Sequence, residues 1–274
     1  MVNGRMVNPM QDSPILQDKL AHLPWMDPRT AKLPGIQPVQ GRDWLRVDEA
    51  YAPQMALRDR LIAGQAGVVH ALLPQGRAAA DELYGAVLDW LRGDGGFQVD
   101  EDFVRRPDGI TVPLDRDQPL LTLGRLVQED ICVMQVSGTE RGAEYCLTGG
   151  ILCFPASWTL AQKIGRPLTG IHDTVPVYDA NIAQRVARLF DAIRPDQPLW
   201  RMNYLTYDDF VLHQPRREGE KRPRPTSHGY IRSERQCLLR LPVTGAVIFT
   251  IHTYVVDARV VTPEELAALR DAVH

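Results

Sequence analysis

Apolar positions recur first at helical spacing and later with the alternation of strands. Over residues 77–92, Leu83, Val87, Leu88 and Leu91 fall on one face of a helix, which Gly93-Asp94-Gly95-Gly96 stops. A less regular helical region precedes it, over about residues 52–73. From Leu121 the runs shorten. Strands are predicted over 131–136 and 145–154, around the polar turn 137–142. Helical segments follow over 158–164 and 178–193. The second of these places Ile182, Val186, Leu189, Phe190 and Ile193 on one face, with Asp179 as a cap near its start. Three more strands are predicted over 199–207, 233–241 and 246–256, the last two joined by the hairpin turn Pro242-Val243-Thr244-Gly245. The pattern ends in a helix opened by Thr262-Pro263-Glu264-Glu265, a capping box with proline at the first helical position.

This mixture of helices and antiparallel strands predicts an α+β fold, and 274 residues suffice for one large domain or two small ones. Six prolines among the first 40 residues predict an extended arm, disordered at its tip and wrapping the domain from Pro24 onward. Trp25 and Trp44 would be poor choices for a solvated tail. The expected division is an arm over 1–40, a helical extension over 41–120 packed on the core, and a main domain over 121–274. A net charge of −3 provides no basic footprint for nucleic acid or anionic lipid. No run reaches the ~20 apolar residues of a membrane span, and no signal-peptide core is visible, so a cytoplasmic, reduced protein is expected. Cys132, Cys146, Cys153 and Cys237 include no C-x-x-C pair. That argues against a zinc or iron–sulfur site in this chain and against a disulfide framework. No glycine-rich dinucleotide fingerprint occurs.

Three segments carry candidate chemistry. The stretch 126–176 includes Cys153-Phe154-Pro155, then Lys163-Ile164-Gly165-Arg166-Pro167, then Ile171-His172-Asp173-Thr174-Val175-Pro176. A histidine on a short constrained loop can be aimed and held in one tautomer, as a metal ligand must be, or it can simply bond a backbone carbonyl. In Trp200-Arg201-Met202-Asn203-Tyr204, alternation puts Arg201 and Asn203 on one strand face. In Tyr230-Ile231-Arg232-Ser233-Glu234-Arg235-Gln236, it does the same for Arg232, Glu234 and Gln236. On residues alone these are either a polar site or an Arg–Glu ladder on a solvated sheet. His252 and Tyr254 share a face further on, in a strand where a histidine is ordinarily a satisfied core residue.

Together these segments resemble the haem-dependent oxidative N-demethylase family, over roughly residues 24–256. Tyr204 departs mildly from the Arg-x-Asn-Trp usual there, on the face away from Arg201 and Asn203. The resemblance implies a PAS-like antiparallel five-stranded sheet with helices inserted after its second strand, an order that the predicted elements also follow. It implies haem b with His172 as axial ligand to the iron, Cys153 and His252 being the rivals; Lys163 and Arg166 would pair the propionates or, equally, form a solvated helix end carrying cations beside its C-terminal dipole. Arg201 and Asn203 would bind haem propionates, bound oxygen or simply each other, Arg232 would stand with them at the site, and Glu234 would receive a cationic amine. The implied reaction is oxygen-dependent N-demethylation of a small, dimethylamine-like methylated amine. Electrons would come from separate flavin and iron–sulfur reductase subunits using NADPH. Two rival expectations stand beside it: a non-catalytic haem or gas sensor or carrier on the same scaffold, and a haem-free interaction module. The cationic stretch 216–225 is expected to be a solvated loop, with docking of an acidic redox partner as its alternative.

Overall fold

A computed structural model of the chain describes residues 11, 13–32, 34–138, 143–171 and 180–272. The elements begin with β1 (Gln37–Pro38), α1 (Tyr51–Val69), β2 (His70–Leu72) and α2 (Arg77–Arg92). A small meander follows, β3 (Gln98–Val99), β4 (Phe103–Arg105) and β5 (Thr111–Pro113), and then α3 (Pro119–Gly124). Next come β6 (Asp130–Ser137), β7 (Glu144–Ile151), α4 (Leu160–Lys163), α5 (Leu168–Ile171) and α6 (Ala180–Ala192). The chain closes with β8 (Leu199–Tyr207), β9 (Tyr230–Arg240), β10 (Val247–Asp257) and α7 (Pro263–Ala272).

The fold is α+β. Among the described residues, an antiparallel seven-stranded sheet runs in the order β1-β8-β9-β10-β6-β7-β2, and β3-β4-β5 form a separate sheet. The five expected strands are the inner five, so the sheet is wider by one short strand at each edge. Neither edge strand was predicted. β1 sits in the arm and pairs with Leu199 and Trp200. β2 occupies the expected end of the first helix, which stops at Val69 because His70 turns to extended backbone (φ −131°, ψ 140°). It pairs with residues 149–151, where Gly149 leaves room for Leu72: a Cβ there would lie 2.8 Å from Leu72 Cδ1. The meander lies within the stretch 41–120 expected as a helical extension, where no strand was predicted.

The sheet is covered on both faces. On one, which we call the inner face, α4, α5 and α6 pack through Leu160, Leu168, Phe190 and Ile193 onto Cys132, Met134, Leu147, Leu238 and Val247. On the other, the outer face, α1 and α2 bury Leu57, Leu61, Leu83, Val87 and Leu91 against Ile131, Val133, Leu239 and Ile248. The arm completes that cover. Trp25 and Leu20 pack with Met202, Ile231, Tyr254 and Leu269, and Trp25 Nε1 donates to the Glu265 carbonyl at 2.8 Å. Gln11 Oε1 accepts from the Leu212 amide and Ile15 is buried, so the wrap begins upstream of Pro24. The arm's expected tip, residues 1–10, lies outside the described residues.

A buried ion pair ties the two ends of this architecture together. Arg58 of α1 donates to Asp130 Oδ1 at 2.7 Å, and the Asp130 carboxylate accepts from the amides of Cys153 and Phe154. The chain leaving β7 towards the inserted helices is therefore pinned by charge-assisted hydrogen bonds.

Candidate functional site

The polar group on the inner face follows from strand alternation and one register. Arg201 stands opposite Gln236 and Asn203 opposite Glu234. Glu234 is nearly enclosed, its side chain 13% exposed. Its Oε2 accepts from Asn203 Nδ2 at 2.9 Å and Gln236 Nε2 at 3.2 Å, and its Oε1 faces Arg232 Nε at 3.4 Å. Its backbone amide donates to Asn203 Oδ1 at 3.1 Å, so the two residues clasp each other twice. Arg232 is buried and reaches outward from the group. Nη1 donates to the Leu212 carbonyl at 2.9 Å and Nη2 to that of Phe154 at 2.5 Å, clamping two loops over this end of the sheet.

Arg201 differs from every other member. Among the described residues it makes no hydrogen bond, and its Nε is fully buried without a partner. Burial pulls its guanidinium below its ordinary value, against the attraction of Glu234. The hydroxyl of Thr253, cross-strand from Glu234, is also buried and unpartnered. Buried polar atoms are ordinarily satisfied, and exceptions call for an explanation.

Beside this polar group the inner face turns apolar, with Leu199, Leu238 and Phe249 under the inserted helices. Lys163 closes α4 and is buried. Its Nζ donates to the Ile171 carbonyl at 2.6 Å and to Glu218 Oε1 at 2.6 Å. Arg166 Nη1 donates to the same Glu218 oxygen at 2.9 Å. The lysine contacts hold the Glu218 carboxyl below its usual range. Glu218 was missed because it is one of two acids in a cationic stretch read as a solvated loop. Its amide is also bound, by Gln162 Oε1 at 3.0 Å. Lys163 thus fixes the last residue before His172, while His172 itself and Asp179 lie outside the described residues.

The two rival ligands sit elsewhere. Cys153 is buried, and burial pushes its thiol up to about 12, far from the thiolate a metal needs. His252 is on the outer face, its Nδ1 2.9 Å from Glu129 Oε1 and its Nε2 3.0 Å from Asp48 Oδ2. Burial works against its charge, but Tyr254, Asp48 and Glu129 outweigh that and raise it to about 10. A cleft of about 390 Å³ opens on this outer face, lined by Asp43, Arg46, Asp48, Trp90 and Tyr254. It includes none of the inner-face residues. Among the described residues, no three His, Cys, Asp or Glu side chains are grouped as a metal cluster requires, and no helix is long and apolar enough to cross a membrane.

A family model described as haem-dependent oxidative N-demethylase, alpha subunit-like, matches residues 35–274. The chain belongs to this family. For a haem-dependent oxidative N-demethylase alpha-subunit-like protein, the inner face has a suitable composition. Two buried polar atoms that lack partners among the described residues, Arg201 Nε and Thr253 Oγ1, lie beside the apolar cluster packed under the inserted helices. Haem iron requires one protein ligand rather than a cluster. Buried donors without partners suit a group supplied from outside the chain, such as the haem that the family name carries.

Proposed function

We propose that the protein is the haem-binding, catalytic chain of an oxygen-dependent N-demethylase acting on a small methylated amine. The observation that carries this reading is the inner-face carboxylate of Glu234, immobilised by Asn203, Gln236 and Arg232 inside a chain of the demethylase family. The order of the inner strands, β8-β9-β10-β6-β7, with α4 to α6 following β7 in the chain, supports a PAS-like domain over 121–274 with 41–120 packed on it. Haem b would be held by His172, with Arg166 and Lys163 towards its propionates; Lys163 would act mainly by holding Ile171. Bound haem supplies the activation of dioxygen.

The chain's own groups do the rest. Glu234 binds the ammonium and takes up its proton as the nitrogen is oxidised. Asn203 and Gln236 keep the carboxylate aimed, and Arg232 closes the Phe154 and Leu212 loops over it. Overall, R₂N–CH₃ + O₂ + 2e⁻ + 2H⁺ yields R₂NH, formaldehyde and water. The two electrons come from a separate flavin and iron–sulfur reductase drawing on NADPH.

The visible spectrum of the haem-loaded protein tests this. Wild type is expected to show an intense Soret band that shifts or is lost in His172→Ala, and to release formaldehyde from a methylated amine when reduced in air. Absence of the band in both proteins would sink the proposal. A band unchanged by the substitution would refute His172 as the ligand.

A further inference from the structure

Arg201 and Glu234 are diagonal neighbours on the inner face, since Arg201 stands opposite Gln236 and Asn203 opposite Glu234. Diagonal positions are about 7–8 Å apart, within reach of long side chains. The two nonetheless form no ion pair. The oxygens of Glu234 are taken up by Asn203, Gln236 and Arg232, and Arg201 is left with a buried Nε and no partner among the described residues. Its Nε is enclosed but the residue as a whole is half-buried, so an anion from outside the chain can reach the guanidinium.

Its position beside Glu234 bears on which amine can bind. A simple ammonium arriving at Glu234 also meets the positive charge of the half-buried Arg201, which Glu234 attracts without an ion pair. A ligand bearing a carboxylate one or two carbons from its nitrogen meets both charges favourably. Its ammonium lies on Glu234 and its carboxylate in the guanidinium fork, which suits planar two-point recognition.

We propose that the amine recognised on this face is a zwitterion, an N-methylated amino acid, with Arg201 as the receptor for its carboxylate. The proposal rests on the demethylase reading for the reaction performed, though the binding preference requires only the inner face. N-methylglycine and dimethylamine provide the test, because the first is the second with a carboxylate on one methyl group. Calorimetric titration of the haem-loaded full chain is expected to show N-methylglycine binding at least ~10-fold more tightly, as one or two charge-assisted hydrogen bonds would give. Arg201→Met removes that gap, Arg201→Lys keeps part of it, and Glu234→Gln weakens both ligands.

Equal affinities in wild type, or a preference for dimethylamine, overturn the proposal without recourse to any variant. So does an Arg201→Met protein that loses haem yet keeps the preference for N-methylglycine, which would put a haem propionate on Arg201. If the chain takes up no haem, the demethylase reading falls on its own, and the same titration of the haem-free chain still decides the zwitterion.

Discussion

Replacing His252 by phenylalanine removes the one cation between two carboxylates while nearly keeping the ring's volume beside Tyr254, whose centroid is 4.7 Å away. Glu129 is 1% exposed and Asp48 14%, and Glu129 Oε2 already lacks a partner. After the substitution Glu129 keeps only the Arg46 amide, whereas Asp48 keeps Gln17, Gln128 and the Ala50 amide. Removing one partner of a buried charge set costs about 3–5 kcal/mol. For a protein of this size that corresponds to a Tm lower by roughly 6–20 °C. The pH dependence has a definite sign. The folded-state pKa of His252 is raised from 6.5 to about 10, so its contribution is complete below the lower value and is lost as pH rises through the upper one. Thermal unfolding followed by circular dichroism at pH 6, 8 and 10 should show a wide gap between wild type and variant at pH 6, narrowing towards pH 10. A gap of the same size at pH 6 and pH 10, or no gap at pH 6, would refute the claim that a buried imidazolium ties Asp48 and Glu129 to β10.

Two further outcomes follow from the inner face. Asn203→Ala should cost about 1 kcal/mol in stability but weaken amine binding ~5–10-fold, because Glu234 loses both the amide that aims its carboxylate and the acceptor for its own N–H; calorimetry against thermal unfolding separates the two effects, and unchanged amine affinity would sink the idea. Arg240→Met should destabilise by roughly 2–4 kcal/mol, since its guanidinium serves the carbonyls of Phe190, Ile193 and Gly245 together with Tyr145 Oη. Hydrogen exchange should then quicken in α6 before it does in β9, and equal acceleration of both would refute a local role in holding that helix.

Much of this protein is determined locally. The apolar face of α2 and the glycines after it set both ends of that helix, because helical periodicity and a stop signal act within a few residues. The capping box opening α7 forms as written, Thr262 Oγ1 accepting from the Glu265 amide and Glu265 Oε2 from that of Thr262. The hairpin turn closes on Gly245 at φ 69°, a local feature, although Glu82 of α2 also accepts from the Val243 and Thr244 amides. Alternation alone put Arg201 with Asn203 and Arg232 with Glu234 on common faces. Other features depend on partners distant in sequence. β1 and β2 are too short to carry a pattern and exist because an exposed sheet edge supplies their hydrogen bonds. Only the β8–β9 register sets Asn203 against Glu234 and leaves Arg201 without an ion pair among the described residues, a matter no single strand records. The same is true of Glu218 reaching back to Lys163 and of His252 bridging Asp48 and Glu129, for which close packing joins residues 55, 204 and 123 positions apart. Local propensity thus determined the elements and their faces, and tertiary packing decided which charges have partners and which one waits for a ligand.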